Sequence, residues 1–202
     1  MCHVPAPAVP GRAAHKAARR EDLIDAAVRV IRRDGPRVSI EDVAREVGVT
    51  RPILYRYFGD RRGLHLALAE RFAQRLTAEL DRPLTSGGPP RDVFAATVDT
   101  YLAFLDEDAN VYRFLFRGGL GDEDRAFAHH LAHRIAEVMA AGLAAAGGDP
   151  SVAEAWGHAL VGMVHMAGDW WVDQRPMPRE RLVELLVLLG WDGMGGGGRP
   201  RP

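Results

Sequence analysis

Between Ser39 and Leu64 the chain reads SIEDVAREVGVTRPILYRYFGDRRGL, and Gly48 within it leaves room for one kind of local structure. Ser39 stands three positions before Asp42 and just ahead of the apolar set Ile40, Val43, Ala44 and Val47, which is a capping box followed by helical spacing. Gly48 follows the last periodic residue, where a helix C′ position favours a residue tolerant of positive φ. A helix over 40–47 therefore stops there. Val49 can plug the corner, and Thr50 can accept from the orphan amides of a second helix whose first turn admits Pro52. That helix is short, because Gly59 breaks it and Asp60 offers a cap for the next. Ile53, Leu54 and Phe58 can hold it to a core, while Arg51, Pro52, Tyr55, Arg56 and Tyr57 are largely left outside. Two helices joined by such a turn form the supersecondary unit whose second helix enters the DNA major groove.

Charge placement agrees. The 202 residues carry a formal net charge of −1, yet residues 11–65 hold 13 basic and 8 acidic side chains, leaving 13 basic and 19 acidic elsewhere. A balance of +5 on the first stretch and −6 on the rest describes a basic head on an acidic body. Phosphate attraction depends on the local Lys and Arg rather than on the whole-chain total.

The pattern Ile40-x-x-Val43-Ala44-x-x-x-Gly48-Val49-Thr50, then Leu54-Tyr55-x-Tyr57-Phe58-x-Asp60-Arg61-x-x-Leu64, resembles the amino-terminal domain of TetR-type transcriptional regulators. The likeness runs from Arg20 to about Phe72. Where Arg61 stands, that family usually carries lysine, and where Arg62 and Gly63 stand, an acidic pair. Arg61 keeps the charge that holds a phosphate, whereas Gly63 is expected to weaken the start of its helix by roughly 1 kcal/mol relative to Ala. The resemblance implies an all-α chain: a three-helix helix-turn-helix DNA-binding domain followed by a helical ligand-binding and dimerisation domain. It also implies that Thr50, Arg51, Pro52 and Tyr55 face the bases, with Ser39, Arg56, Tyr57 and Arg61 on phosphates.

The remaining sequence fills in this plan. Residues 1–18, rich in Pro and Ala, are expected to form a disordered basic arm, and 192–202 a disordered tail, with a DNA-binding domain over 19–65 and an effector and dimerisation domain over 66–191. Leu23, Ile24, Ala27, Val30 and Ile31 share one face of a helix from about Arg20 to Asp34, ended by Gly35-Pro36. A helix from Asp60 to about Leu80 carries Leu64, Leu68, Phe72 and Leu76 at i+4 steps, long enough to act as a lever between the two domains. Pro83 to Pro90 reads as a linker. Further helices are expected at about 91–106, 109–117, 122–146, 151–173 and 178–190, with no competing strand pattern.

The last two of these helices are apolar over most of their circumference, so each needs cover on more than one side. A second copy of the chain can supply it through a two-fold four-helix interface, as the family resemblance implies. Trp156, Leu160, Val164, Trp171, Leu182, Leu185, Leu186 and Leu189 are the expected interface residues, with internal core as the alternative. A pocket for a small apolar or aromatic effector is expected from Tyr101, Phe104, Phe114, Phe127, Met163 and Met166, with Tyr112, Phe116 and Met139 as further candidates. His158, Gly162, His165 and Asp169 form a polar row on one apolar helix. His165 and Asp169 can meet across one turn, in a core pair, at the dimer axis, or at a ligand's polar end.

Other chemistries find less support. His129 and His133 are spaced i, i+4, but zinc wants three or four ligands, no cysteine or placed acid completes the set, and no Glu stands between them as in a metalloprotease helix. No metal or cofactor is expected. There is no phosphate-cradling loop or nucleophile elbow, so no catalysis is expected. The only cysteine, Cys2, excludes a disulfide framework. No apolar run reaches the ~20 residues of a membrane span and no signal-peptide core is present, so a cytoplasmic location is expected. The reading that follows is a homodimeric regulator, a repressor of a palindromic double-stranded DNA operator, released by a small-molecule effector. Its rival is an all-α ligand-binding or interaction protein without DNA binding.

Overall fold

A computed structural model of the chain describes residues 12–116 and 122–193, with side chains from Ala14 onward except those of residues 122–127 and Asp192. The element order is α1 (Arg12–Asp34), α2 (Ile40–Glu46), α3 (Arg51–Phe58), α4 (Arg61–Leu84), α5 (Pro90–Glu107), α6 (Ala109–Phe116), α7 (Asp122–Ala145), a 3₁₀ turn at Pro150–Val152, α8 (Ala153–Gln174), α9 (Arg179–Val187) and a π turn at Leu188–Asp192. No strand occurs among the described residues.

The helices differ from expectation mainly at their ends. α1 begins at Arg12, so residues 12–18 of the expected disordered arm are helical; the Ala-rich run that suggested disorder is also the composition of a strong helix. The rest of the arm, and the tail from Met194, lie outside the described residues. α4 runs through Pro83 to Leu84, shortening the expected linker to five residues. Its 24 residues span about 36 Å at 1.5 Å per residue, and it belongs to both halves of the molecule.

The head is α1, α2 and α3 packed on the first half of α4. Leu23, Ile24, Ala27, Val30 and Ile31 of α1 are all at most 2% exposed. They meet Val43 and Ala44 of α2, Leu54 of α3, and Leu64 and Leu68 of α4 in one cluster. Leu54 is the only fully buried residue of α3. Full burial of one leucine contributes about 1.5–3 kcal/mol, so this side chain pins the short helix while its polar neighbours stay in water. In the body, α5 lies along α4, α7 packs on α8, and α9 packs on α5. The α7–α8 contact is close because α8 carries Gly157, where a Cβ would lie 2.6 Å from the Ala132 carbonyl oxygen.

Gly63, expected to cost stability, has a structural reason. A Cβ there would collide with the Phe58 carbonyl oxygen, because the chain doubles back at Gly59 (φ 81°) and the Asp60 carboxylate accepts from Gly63 N at 2.7 Å. The expected result is that Gly63→Ala, stabilising in an ordinary helix, lowers stability here by about 1–3 kcal/mol, as overpacking does. A rise in the thermal midpoint of that variant would refute the steric account.

Candidate nucleic-acid interface and the cavity behind it

The turn between α2 and α3 is built as its residue types require. Ser39 caps α2: its hydroxyl accepts from Asp42 N at 3.2 Å and donates to Asp42 Oδ2 at 2.6 Å, while Asp42 Oδ2 accepts from Ser39 N at 3.0 Å. These bonds, the Ser39 hydroxyl first, pull the Asp42 carboxyl down to about 2. Ser39 is therefore occupied by its cap, a use that competes with the phosphate contact expected of it. Gly48 sits at φ 63° and turns the chain, and Val49 N donates to Ala44 O at 3.0 Å. Thr50 is the N-cap of α3, but its side chain makes no capping bond, contrary to the expectation, and its hydroxyl is exposed at the turn.

The expected DNA residues of α3 and its flanks are mostly open to solvent, with Tyr57 packed in part against the core. Thr50, Arg51, Pro52, Arg56 and Arg61 are exposed, and Tyr55 and Tyr57 are half-buried. Arg51 donates through Nε to the Tyr55 hydroxyl at 2.9 Å, lies 5.2 Å from that ring's centroid, and pairs with Glu41 at 2.7 Å. The bond to Tyr55 raises the Arg51 guanidinium above its usual range, with Glu41 adding to it. Arg56 lies over the Tyr57 ring at 5.7 Å. Arg61 opens α4 with no ion pair among the described residues, which leaves its charge available to a phosphate.

Behind the head, the body encloses a cavity of about 630 Å³. Its walls are Phe72, Leu76, Leu80 and Leu84 of α4, Val93, Phe94, Thr97, Val98, Tyr101 and Leu105 of α5, Tyr112 and Phe116 of α6, a stripe of α7 from Ala128 to Leu143, and Trp156, Leu160, Val161, Val164 and His165 of α8. Of the residues expected to bind a ligand, Tyr101 and His165 reach it, as do the further candidates Tyr112, Phe116 and Met139; a 3.0 Å hydrogen bond joins the Tyr101 hydroxyl and His165 Nδ1. Asp169 accepts from the Tyr112 hydroxyl at 3.1 Å. Burial first, and then nearby anionic charge, raise both tyrosines well above the ordinary phenol range.

Four of the expected lining residues go elsewhere. Phe104 stands one layer back, edge-on to Phe72 at 4.8 Å and beneath Arg75. Phe114 faces His65, Met163 packs beside Gly190, and Met166 is 65% exposed. The side chain of Phe127 lies outside the described residues. The polar row on α8 also divides: Gly162 is exposed, and His158 turns to His129 at 3.1 Å and to the Glu154 carbonyl.

The expected dimer residues need correction too. Trp156, Leu160 and Val164 line the cavity. Trp171, Leu182 and Leu186 are at most 5% exposed within one chain, where they complete its own core, and Leu185 is half-buried. Leu189, at 64%, is exposed as expected. With it, Met166, Trp170 and Leu188 form the exposed apolar set on the last helices. Periodicity had marked these helices as apolar all round but could not say which side meets a neighbour in the same chain.

One cluster was missed altogether. Asp108, at the α5–α6 corner, is 1% exposed. It accepts from Arg32 of α1 at 2.5 and 2.9 Å and from Arg75 of α4 at 2.5 Å. The bond to Asp108 raises the Arg32 guanidinium above its usual range. Asn110 of α6 donates to the Arg32 carbonyl at 3.0 Å, and His65 of α4 meets the Leu115 carbonyl at 3.1 Å. Thus α6 is tied to the head on one side and, through Tyr112 and Phe116, walls the cavity on the other. An aspartate after a helix in sequence gives no sign of partners 76 and 33 residues away. Among the described residues no His, Cys, Asp or Glu group has the arrangement to hold a metal, and no helix is long and apolar enough to cross a membrane.

Comparison with known proteins bears on both halves. A family model described as bacterial regulatory proteins of the tetR family matches residues 23–68, and one described as the tetracyclin repressor-like C-terminal domain matches residues 75–198. An HTH-type transcriptional regulator of Mycobacterium tuberculosis is 28% identical over 190 residues, covering 90% of this chain and 80% of the relative. The HTH-type transcriptional activator FasR of Mycolicibacterium smegmatis is 25% identical over 181 residues, covering 87% and 83%. Among solved structures, a TetR-family regulator from Pectobacterium atrosepticum superposes with a TM-score of 0.72 at 20% identity, covering 96% of this chain and all of that one. One from Streptomyces coelicolor gives 0.70 at 23%, covering 91% and 90%. With both domains matched, the second by a model that spans more than half of the chain, this protein belongs to the TetR family and is a DNA-binding transcriptional regulator.

Proposed function

We propose that the protein works as a homodimer on a palindromic operator and leaves it when an apolar ligand fills the cavity. The observation that carries this is α6, which walls the cavity with Tyr112 and Phe116 and is held to the head through the Asp108–Arg32 corner. Two α3 helices enter successive major grooves only when they lie about 34–36 Å apart. A ligand that fits the cavity better at another spacing draws the population away from DNA, by as much as its affinities for the two states differ. Thr50, Arg51, Pro52 and Tyr55 face base edges in this reading, and Arg56, Tyr57 and Arg61 hold phosphates, which position rather than specify. The protein acts where the chromosome is, in the cytoplasm.

Met166, Trp170, Leu188 and Leu189 form the partner-facing patch. Because Met166 and Leu189 are about two-thirds exposed, Met166→Glu with Leu189→Glu is expected to leave the fold intact and halve the mass in sedimentation. An unchanged dimer would remove this assignment.

Salt-dependent fluorescence anisotropy against the intergenic DNA beside the gene, with random DNA as control, tests the whole reading. Specific binding by two protomers supports it; binding no tighter than to random DNA in a genome-wide selection as well would reject it. A site that overlaps a promoter gives repression, the sign proposed here, although one relative bears the name of an activator. A promoter fusion that falls in expression when the gene is deleted would reverse that sign.

A further inference from the structure

We infer that the cavity takes a single long hydrocarbon chain of about 16–18 carbons, inserted tail first, with its polar head left at the mouth. This rests on the proposed role of the cavity as the effector site and names the chemistry of its ligand.

Length comes from the helices. The lining stripe runs from Phe72 to Leu84 on α4, Pro90 to Leu105 on α5 and Ala128 to Leu143 on α7. At 1.5 Å per residue these stripes are about 18, 22 and 22 Å long. An extended chain advances about 1.2 Å per bond, so 16–18 carbons reach about 20 Å. Volume agrees: at about 30 Å³ for a group the size of a water molecule, 630 Å³ holds about twenty such groups.

Chemistry gives the direction. At one end stand Phe116 and the buried Phe72, Tyr101 and Tyr112, while the long limb is walled by aliphatic side chains such as Leu76, Leu80, Leu131 and Ile135, with Phe94, Trp156 and Trp191 among them. Neither arginine nor lysine is among the described residues that line it, and the Tyr101 hydroxyl and His165 Nδ1 already satisfy one another. A carboxylate carried to that end would meet no cation among the described lining residues, and burial without one costs far more than it returns. At the other end the lining includes Gly87, Gly88, Gly142 and Ala146, all exposed. A charged head can stay there in water while the tail is buried.

The test is calorimetric titration of the full chain with saturated fatty acids of 8, 12, 16 and 20 carbons below their micelle concentrations, supported by the fluorescence of the lining residues Trp156 and Trp191. Affinity is expected to rise by up to about fourfold per methylene and to level off near 16–18 carbons. Two variants locate the chain. Ala128→Phe, at the end near Tyr101 and Phe116, should move the plateau to shorter acids. Gly142→Leu, where a Cβ meets nothing within 4 Å, should weaken every acid at the mouth without unfolding the protein, which a melting curve checks. Affinity independent of length, or tighter binding of a four-ring aromatic hydrocarbon than of the 16-carbon acid, would overturn the proposal. Length-dependent binding that leaves operator affinity unchanged would keep the ligand class and reject the release mechanism. Operator release by other compounds, with no acid bound, would do the reverse.

Discussion

Asp108→Ala is expected to destabilise the protein by about 2–3 kcal/mol and to weaken the link between the cavity and the head. The carboxylate is 1% exposed and holds two guanidiniums, from Arg32 and Arg75. Removing one partner of a fully buried pair costs about 3–5 kcal/mol; here the arginines remain 40% and 37% exposed, so water recovers part of that. Urea unfolding measures the stability. The second effect follows from position: the buried carboxylate that bridges α1 and α4 at the α5–α6 corner is lost, leaving the more distant Glu107, at 4.0 Å from Arg32 and 3.7 Å from Arg75, and the Asn110 and His65 contacts of α6. Coupling between two sites commonly amounts to 1–3 kcal/mol, or 5–150-fold in affinity. In the variant a cavity ligand should still bind, while its effect on operator affinity shrinks several-fold. Asp108→Asn, which keeps the shape, should fall between the two. A variant that is destabilised but fully responsive would make Asp108 a purely structural residue.

Arg51→Ala is expected to lower operator affinity by about 10–100-fold while changing affinity for random DNA little, because a side chain on a base edge contributes about 1–3 kcal/mol of discrimination. The bond to Tyr55 holds the guanidinium over the exposed side of α3, so order at this position precedes DNA. Arg61→Ala should behave differently. A phosphate contact carries no sequence information, so its loss weakens operator and random DNA together and makes the salt slope shallower by about 0.9. The experiment is one anisotropy series at several salt concentrations for each variant. If the two variants lose affinity in the same pattern, the division between reading and holding residues is wrong.

Much of the head was legible because its determinants are local. Ser39 with Asp42, Gly48, Gly59 and Asp60 act within three or four residues of themselves, and each sits where its backbone conformation or capping bond is needed. Gly63 was misjudged because propensity counts only the helix it begins, whereas the obstacle is the Phe58 carbonyl of the preceding one. In the body, helix positions were legible and partners were not. An apolar stripe on α8 is equally compatible with a second copy of the chain, a neighbouring helix or empty space. Trp171 found the core, Trp156 the cavity and Trp170 the surface.

Sequence alone thus determined the all-α class, the reading unit and its exposed arginines, since helix periodicity, caps and turns depend on near neighbours along the chain. Tertiary structure alone decided which apolar faces enclose the cavity and that Asp108 joins Arg32 to Arg75, because those outcomes depend on how α4 to α8 pack across distances that no local pattern encodes.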